Sequence, residues 1–120
     1  MPPNLPFPKT RRLTRPAEFE RLRKDGRVWR GSSITIVVAP ALEDDAPTRT
    51  AFITSRKVGG AVVRNRVRRR LREIVRRHQH EISAGIWVLV IASARTAAVS
   101  YGRLEDEWLR LARRASILAP

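Results

Sequence analysis

No cysteine occurs in the 120 residues. That excludes a disulfide framework, Cys-containing zinc sites and thiol catalysis, and it suits a reducing compartment. Acids are scarce, 11 against 25 basic residues, which leaves a formal net charge of +14. The two histidines, His78 and His80, have only Glu81 close by in sequence and make a poor metal set; a solvated helix end is the expectation for both. Neither a Ser–His–Asp set nor a Gly-rich phosphate loop appears, since Gly59-Gly60 lacks the P-loop spacing. The longest strongly apolar stretch, Ile86 to Ala92, is far short of the ~20 residues a membrane helix needs. The opening MPPNLPFP has no basic region and no apolar run of the secretory kind. A soluble, cytoplasmic protein with no membrane partner and no catalytic set of its own is expected.

What is present is arginine, and it is concentrated. Between Arg56 and Arg77 the chain reads RKVGGAVVRNRVRRRLREIVRR, with ten basic residues and one acid, Glu73. Clustered charge of this kind repels itself unless a polyanion receives it. Hydrophobic residues nonetheless make up 42% and include three Trp and three Phe, so the chain is a folded domain and not a basic disordered tail. Its length suits one domain, residues 1–120, with 1–11 as a loosely held arm.

The pattern along the chain predicts seven elements. A short helix runs from about Pro16 to Lys24, with Thr14 as cap and Gly26 just past its end. Val28 and Trp29 start a short strand, and Ser33 to Ala39 and Thr50 to Ser55 are β-branched strands. The loop between the last two carries an acidic tip, Glu43, Asp44 and Asp45, of a kind more often solvated than metal-binding. After Gly59-Gly60 a long helix extends from about Ala61 to Gln79. At 100° per residue Val63, Val67, Leu71, Ile74 and Val75 share one arc, and Arg64 falls inside it. Ile86 to Ala92 has the continuous apolarity of a strand covered on both faces. A last helix covers about Arg103 to Ser116, with acids in its first turn. The order α-β-β-β-α-β-α predicts an α+β two-layer sandwich: a mixed four-stranded sheet with helices mainly on one face.

The arginine helix is the strongest functional signal. Most charged helix faces are solvated and nothing more, but they balance their charge, and here Glu73 is the one acid available to eight arginines. Like-charge pairs such as Arg66–Arg70 and Arg68–Arg72 each cost a free helix a few tenths of a kcal/mol. Phe19, Trp29, Phe52, Trp87 and Trp108 fit core positions; Phe19, set among basic residues, equally suits stacking on a base.

From Ser55 to Glu73, SRKVGGAVVRNRVRRRLRE resembles the signature of the protein component of bacterial ribonuclease P: S-[KR]-K-x-G-x-A-V-x-R-N-R, then basic residues, a Leu and R-E. Arg12-Leu13, Glu18-Phe19 and Gly26 resemble the opening of that family, and Ile86 to Ala92 its late strand. The resemblance implies a catalytic RNA partner that removes the 5′ leader of precursor tRNA with Mg²⁺, no cofactor on the protein itself and no protein partner. It also implies a left-handed crossover through the long helix, against the usual right-handed rule. Carried over by position, Arg64, Asn65, Arg66, Arg68, Arg69 and Arg72 would face RNA, and Phe19, Arg56 and Lys57 would line the leader path. Arg12, Arg23 and Ile34 extend that path. Arg23 and Ile34, with Val37, stand where the family often carries aromatics, so leader contacts are expected to rest more on arginine and aliphatic packing. The alternative from composition is a ribosomal or ribosome-assembly protein; a protein-only nuclease is disfavoured, because no convergent carboxylate or histidine set is visible.

Overall fold

Two apolar segments, ITIVVAP and IWVLVIA, pair antiparallel along their whole length and form the middle of the protein. The computed structural model describes residues 16–41 and 48–118; Arg12, Thr14 and the acidic tip at 43–45 lie outside the described residues. The elements are α1 (Pro16–Asp25), β1 (Arg27–Arg30), β2 (Ile34–Pro40), β3 (Arg49–Ile53), α2 (Ala61–His78), β4 (Ile86–Ala92) and α3 (Tyr101–Arg114). The strands lie in the order β1-β2-β4-β3. β3 and β4 run parallel, joined through α2, while β1–β2 and β2–β4 are antiparallel. The expected α+β architecture and element order are present.

Side-chain alternation divides the sheet into two differently covered faces. Ile34, Ile36, Val88, Val90 and Ala92 point toward α2 and α3 and join Val67, Leu71, Ile74, Leu104, Trp108 and Leu111 in the larger core. Val37, Ala39, Ala51, Trp87 and Leu89 point the other way, onto Leu22 and Phe19 of α1. Two helices therefore cover one face and α1 lies alone on the other. This explains the unbroken apolarity of β4, which is buried on both sides. Enclosing side chains such as Leu71, Ile74 and Leu111 contributes about 1.5–3 kcal/mol each.

The thin apolar side of α1 is supplemented by polar contacts. Glu18 is buried and pairs with Arg49 of β3. Arg21 donates from Nε to the Pro40 carbonyl at 3.1 Å and lies 5.7 Å over the Trp87 ring. On the opposite face α3 begins at Tyr101, earlier than its pattern suggests, because Ser100 is the cap and accepts from the Arg103 N–H at 3.3 Å. Its acids consequently fall beyond the first turn. One of them, Glu107, is buried and accepts from Ser32 Oγ (2.7 Å), the Ser33 N–H (2.9 Å) and the Ile34 N–H (2.7 Å), which fixes the β1–β2 hairpin to α3. Gly31 leaves room for this contact: a Cβ at this position would sit 2.6 Å from Glu107 Oε2 and the carboxylate would have to shift.

Candidate nucleic-acid interface

The arginine helix leaves the sheet through a short, tightly shaped connection. After β3 a single 3-10 turn, Arg56–Val58, buries Val58 and leaves Arg56 and Lys57 exposed. Gly59 follows at φ +149°, a conformation L side chains rarely adopt, and a Cβ there would meet Val63 at 2.9 Å. Gly60 is the N-cap, α2 has no acid in its first turn, and no side chain caps it. The connection therefore brings two exposed cations to the positive end of an 18-residue helix.

Along α2, burial follows the predicted arc. Val67, Leu71, Ile74 and Val75 are enclosed, while Asn65, Arg66 and Arg69 are exposed and Arg64, Arg68, Arg70 and Arg72 are partly covered. Glu73, the single acid of the helix, is engaged by Arg76, whose Nη2 lies 2.5 Å from Glu73 Oε2. Arg56, Lys57, Arg64, Arg66, Arg69 and Arg70 form no salt bridge among the described residues. Arg68 is held by neutral groups: Nη1 donates to Asn65 Oδ1 and Nη2 to Thr54 Oγ1, both at 2.9 Å. That contact ties the helix to the end of β3 and orients the guanidinium without cancelling its charge. Arg64, the residue in the apolar arc, has its Nε buried with no hydrogen-bond partner.

The far end of α2 is locked onto α3. His78 stacks on Trp108, ring centroids 5.9 Å apart, with Nδ1 2.6 Å from Glu81 Oε2 and Nε2 2.9 Å from Glu105 Oε2. The solvated helix end expected of His78 is thus replaced by a partly buried polar clamp. Glu81 is a local i,i+3 partner, but Glu105 is 27 residues away in sequence, and helical periodicity does not reveal that half of the clamp. Arg77 joins through Glu105 at 3.5 Å; the Tyr101 hydroxyl, and then the Glu105 carboxylate, raise its pKa above the ordinary arginine value.

The residues expected to line a leader path separate. Phe19 packs partly buried against the second core, and Arg23 is exposed beside Glu20 at 3.6 Å. Arg56 and Lys57 stand at the end of β3. Ile34 does not join them: it is 1% exposed and points into the larger core, on the opposite face from Phe19. Alternation along β2 puts Thr35 and Val37 on Phe19's face instead. There α1 covers only part of the sheet and leaves a row across all four strands, Arg30–Thr35–Ile91–Ile53, in direct register. Thr35 and Ile91 are half-buried, and Arg30 and Ile53 are exposed. No periodicity marks this row; only the strand pairing assembles it.

Comparison with known proteins supplies the family. The model of the Ribonuclease P family matches residues 7–116. A ribonuclease P protein component from Chloroflexus aggregans is 39% identical over 111 residues, covering 92% of this chain and 81% of that protein. One from Roseiflexus castenholzii is 37% identical over 109 residues, covering 89% of this chain and 87% of the relative. Among solved structures, the Staphylococcus aureus ribonuclease P protein superimposes with a TM-score of 0.83 at 24% identity, over 92% of this chain and 99% of that one. The Thermotoga maritima protein gives 0.76 at 25% identity, over 86% and 96%.

Proposed function

This chain belongs to the ribonuclease P protein family, the protein component of a ribonucleoprotein endoribonuclease that processes the 5′ end of tRNA, and from that membership we propose how its two surfaces divide the work. The arginine face of α2 binds the catalytic RNA, through Arg64, Asn65, Arg66, Arg68, Arg69 and Arg72. The open row on the α1 face, with Phe19, Arg23, Arg56 and Lys57 around it, holds the single-stranded leader of the precursor. Bond cleavage belongs to the RNA, and the particle works in the cytoplasm. The family match favours this reading over a ribosomal role.

The observation that carries it is the uncompensated charge on α2: its one acid is taken by Arg76, and six neighbouring cations have no carboxylate among the described residues. Phosphates are the counter-charge such a face lacks. Arg64 Nε adds to this, since a buried donor without a partner costs roughly 1–3 kcal/mol and an anion beside it relieves that cost. Among the described residues no three His, Asp or Glu side chains converge as metal ligands. Glu18, Glu73 and Glu107 are engaged by arginines or backbone N–H groups. The reading therefore assigns Mg²⁺ to the RNA, with the protein acting as a counter-charge that lets two polyanions approach.

The test is cleavage of precursor tRNA carrying long or short leaders across a Mg²⁺ series, with protein alone, RNA alone and both. Protein alone should not cut. Its benefit to the RNA should be greatest at low Mg²⁺, shrink as salt screens the same repulsion, and be smaller for leaders trimmed to a single nucleotide. Cleavage by the protein alone, abolished by changing an acid such as Glu73, would overturn the assignment.

A further inference from the structure

Two of the three tryptophans are enclosed and the third is not. Trp87 is 5% and Trp108 0% exposed. Trp29 is half-buried and lines a cleft of about 480 Å³ between the edge strand β1 and the end of α3, on the sheet face opposite the open row. That volume lies within the roughly 300–1,000 Å³ of small-ligand sites. Arg27 stands two residues before Trp29, so both point to one face of β1; their register partners Val38 and Ile36 pack with the larger core. Arg114, in the last turn of α3, lines the cleft from the other side. Both arginines are exposed, and neither forms a salt bridge among the described residues. Asp25, the one acid lining the cleft, lies 3.9 Å from Arg21. Arg21 covers the Trp87 ring and His78 covers Trp108, but the Trp29 ring has no aromatic or cationic partner among the described residues.

We propose that Trp29 is a stacking platform for one unpaired nucleotide of RNA, with Arg27 and Arg114 holding the phosphates on its two sides. This is a third RNA contact, apart from the arginine helix and the open row, and it rests on the reading of this chain as an RNA-binding subunit. An indole offers a flat apolar surface, and every base has a face that fits it. Two guanidiniums without carboxylates are the counter-charge the flanking phosphates require. A duplex cannot use the site, because its base faces already stack on one another. The same side of α3 continues the charge: at 100° per residue Arg103, Arg110 and Arg114 fall within about 40° of one another over ~17 Å. Arg103 and Arg110 line a second cleft, beside the β1–β2 turn, together with Asp106. A strand leaving Trp29 therefore meets further cations along α3.

The experiment measures two affinities across a salt series: protein for the catalytic RNA, and assembled particle for precursor tRNA. The first arm responds if the stacked nucleotide belongs to the catalytic RNA, the second if it belongs to the precursor. In the responding arm Trp29→Leu should weaken binding about tenfold with the salt slope unchanged, because a stack carries no charge. Trp29→Phe should recover most of that loss. Arg27→Ala and Arg114→Ala should each lower the slope by about 0.7, the value for one phosphate on a single strand. Arg113→Ala, exposed in the same turn but outside the cleft, should lower it far less. RNA binding should quench tryptophan fluorescence in wild type and much less in Trp29→Phe, since Trp87 and Trp108 are enclosed. Thermal unfolding run in parallel separates lost contact from lost fold, and the two exposed arginines carry the test if Trp29→Leu does not fold. Affinity for Trp29→Leu within about twofold of wild type in both arms, or equal slopes for Arg113→Ala and Arg114→Ala, would overturn the stacking site alone. A wild-type protein whose binding to the catalytic RNA ignores salt would overturn the RNA-binding reading beneath it.

Discussion

Removing Arg66 and Arg69 together isolates the electrostatic part of RNA binding. Both are exposed, neither forms a salt bridge among the described residues, and they lie on the side of α2 away from Leu71 and Ile74. The structure leaves six cations around this face without a carboxylate: Arg56, Lys57, Arg64, Arg66, Arg69 and Arg70. If six phosphates are neutralised, log K should fall against log[salt] with a slope between about −4 and −5, depending on how much of the contacted RNA is double-stranded. At −4.5, a fourfold rise in salt weakens binding ~500-fold. Arg66→Ala/Arg69→Ala should reduce the slope by about two units, so that the same rise costs only ~30-fold. The assay is equilibrium binding of the catalytic RNA over a salt series, with thermal unfolding run in parallel. The melting temperature should not fall, and relief of like-charge crowding on the helix can raise it slightly. A salt slope equal to wild type, or a variant that loses stability in proportion to its affinity, would refute the electrostatic account.

Leu71→Ala should behave oppositely, costing about 2–5 kcal/mol in chemical denaturation because Leu71 is 0% exposed between α2 and the sheet. Arg68→Ala should show a mixed effect: weaker RNA binding together with a stability loss of about 1–2 kcal/mol, since it loses its bonds to Asn65 and Thr54; unchanged stability would mean those bonds do not anchor the helix. Glu107→Ala should destabilise by about 2–4 kcal/mol by stranding the Ser33 and Ile34 N–H groups, and hydrogen exchange should rise first at those two amides.

Much of this organisation was legible in the chain and some was not, for physical reasons. The elements were visible because helix and strand periodicities act locally: the arc through Val67, Leu71 and Ile74 and the run from Ile86 to Ala92 each follow from a few neighbouring residues. The exposed cations of α2 were visible for the same reason. Ile34 was placed with the leader residues, and alternation turned it inward. In a strand apolar at nearly every position, only pairing with β1 and β4 decides which face a residue joins. The His78 clamp and the Glu107 anchor depend on partners 27 and about 74 residues away, and the cross-sheet row draws on all four strands. Apart from the i,i+3 contact of His78 with Glu81, none of these leaves a trace within one helical turn or one strand repeat. Arg64 is the intermediate case: its place in the apolar arc was apparent, and its unpartnered Nε gives that place a meaning.

With packed side chains above and below β2 and β4, the sheet cannot flex without disturbing both cores, and close-packed interiors compress little. It therefore works as a gauge block. The separation between the arginine helix on one side and the open row on the other is set when the chain folds, and on the proposed reading an RNA bound to either surface does not adjust it. Two nucleic acids that engage both surfaces must come to the protein's own spacing, and an error in their relative placement is then a mismatch in length that no added charge can correct.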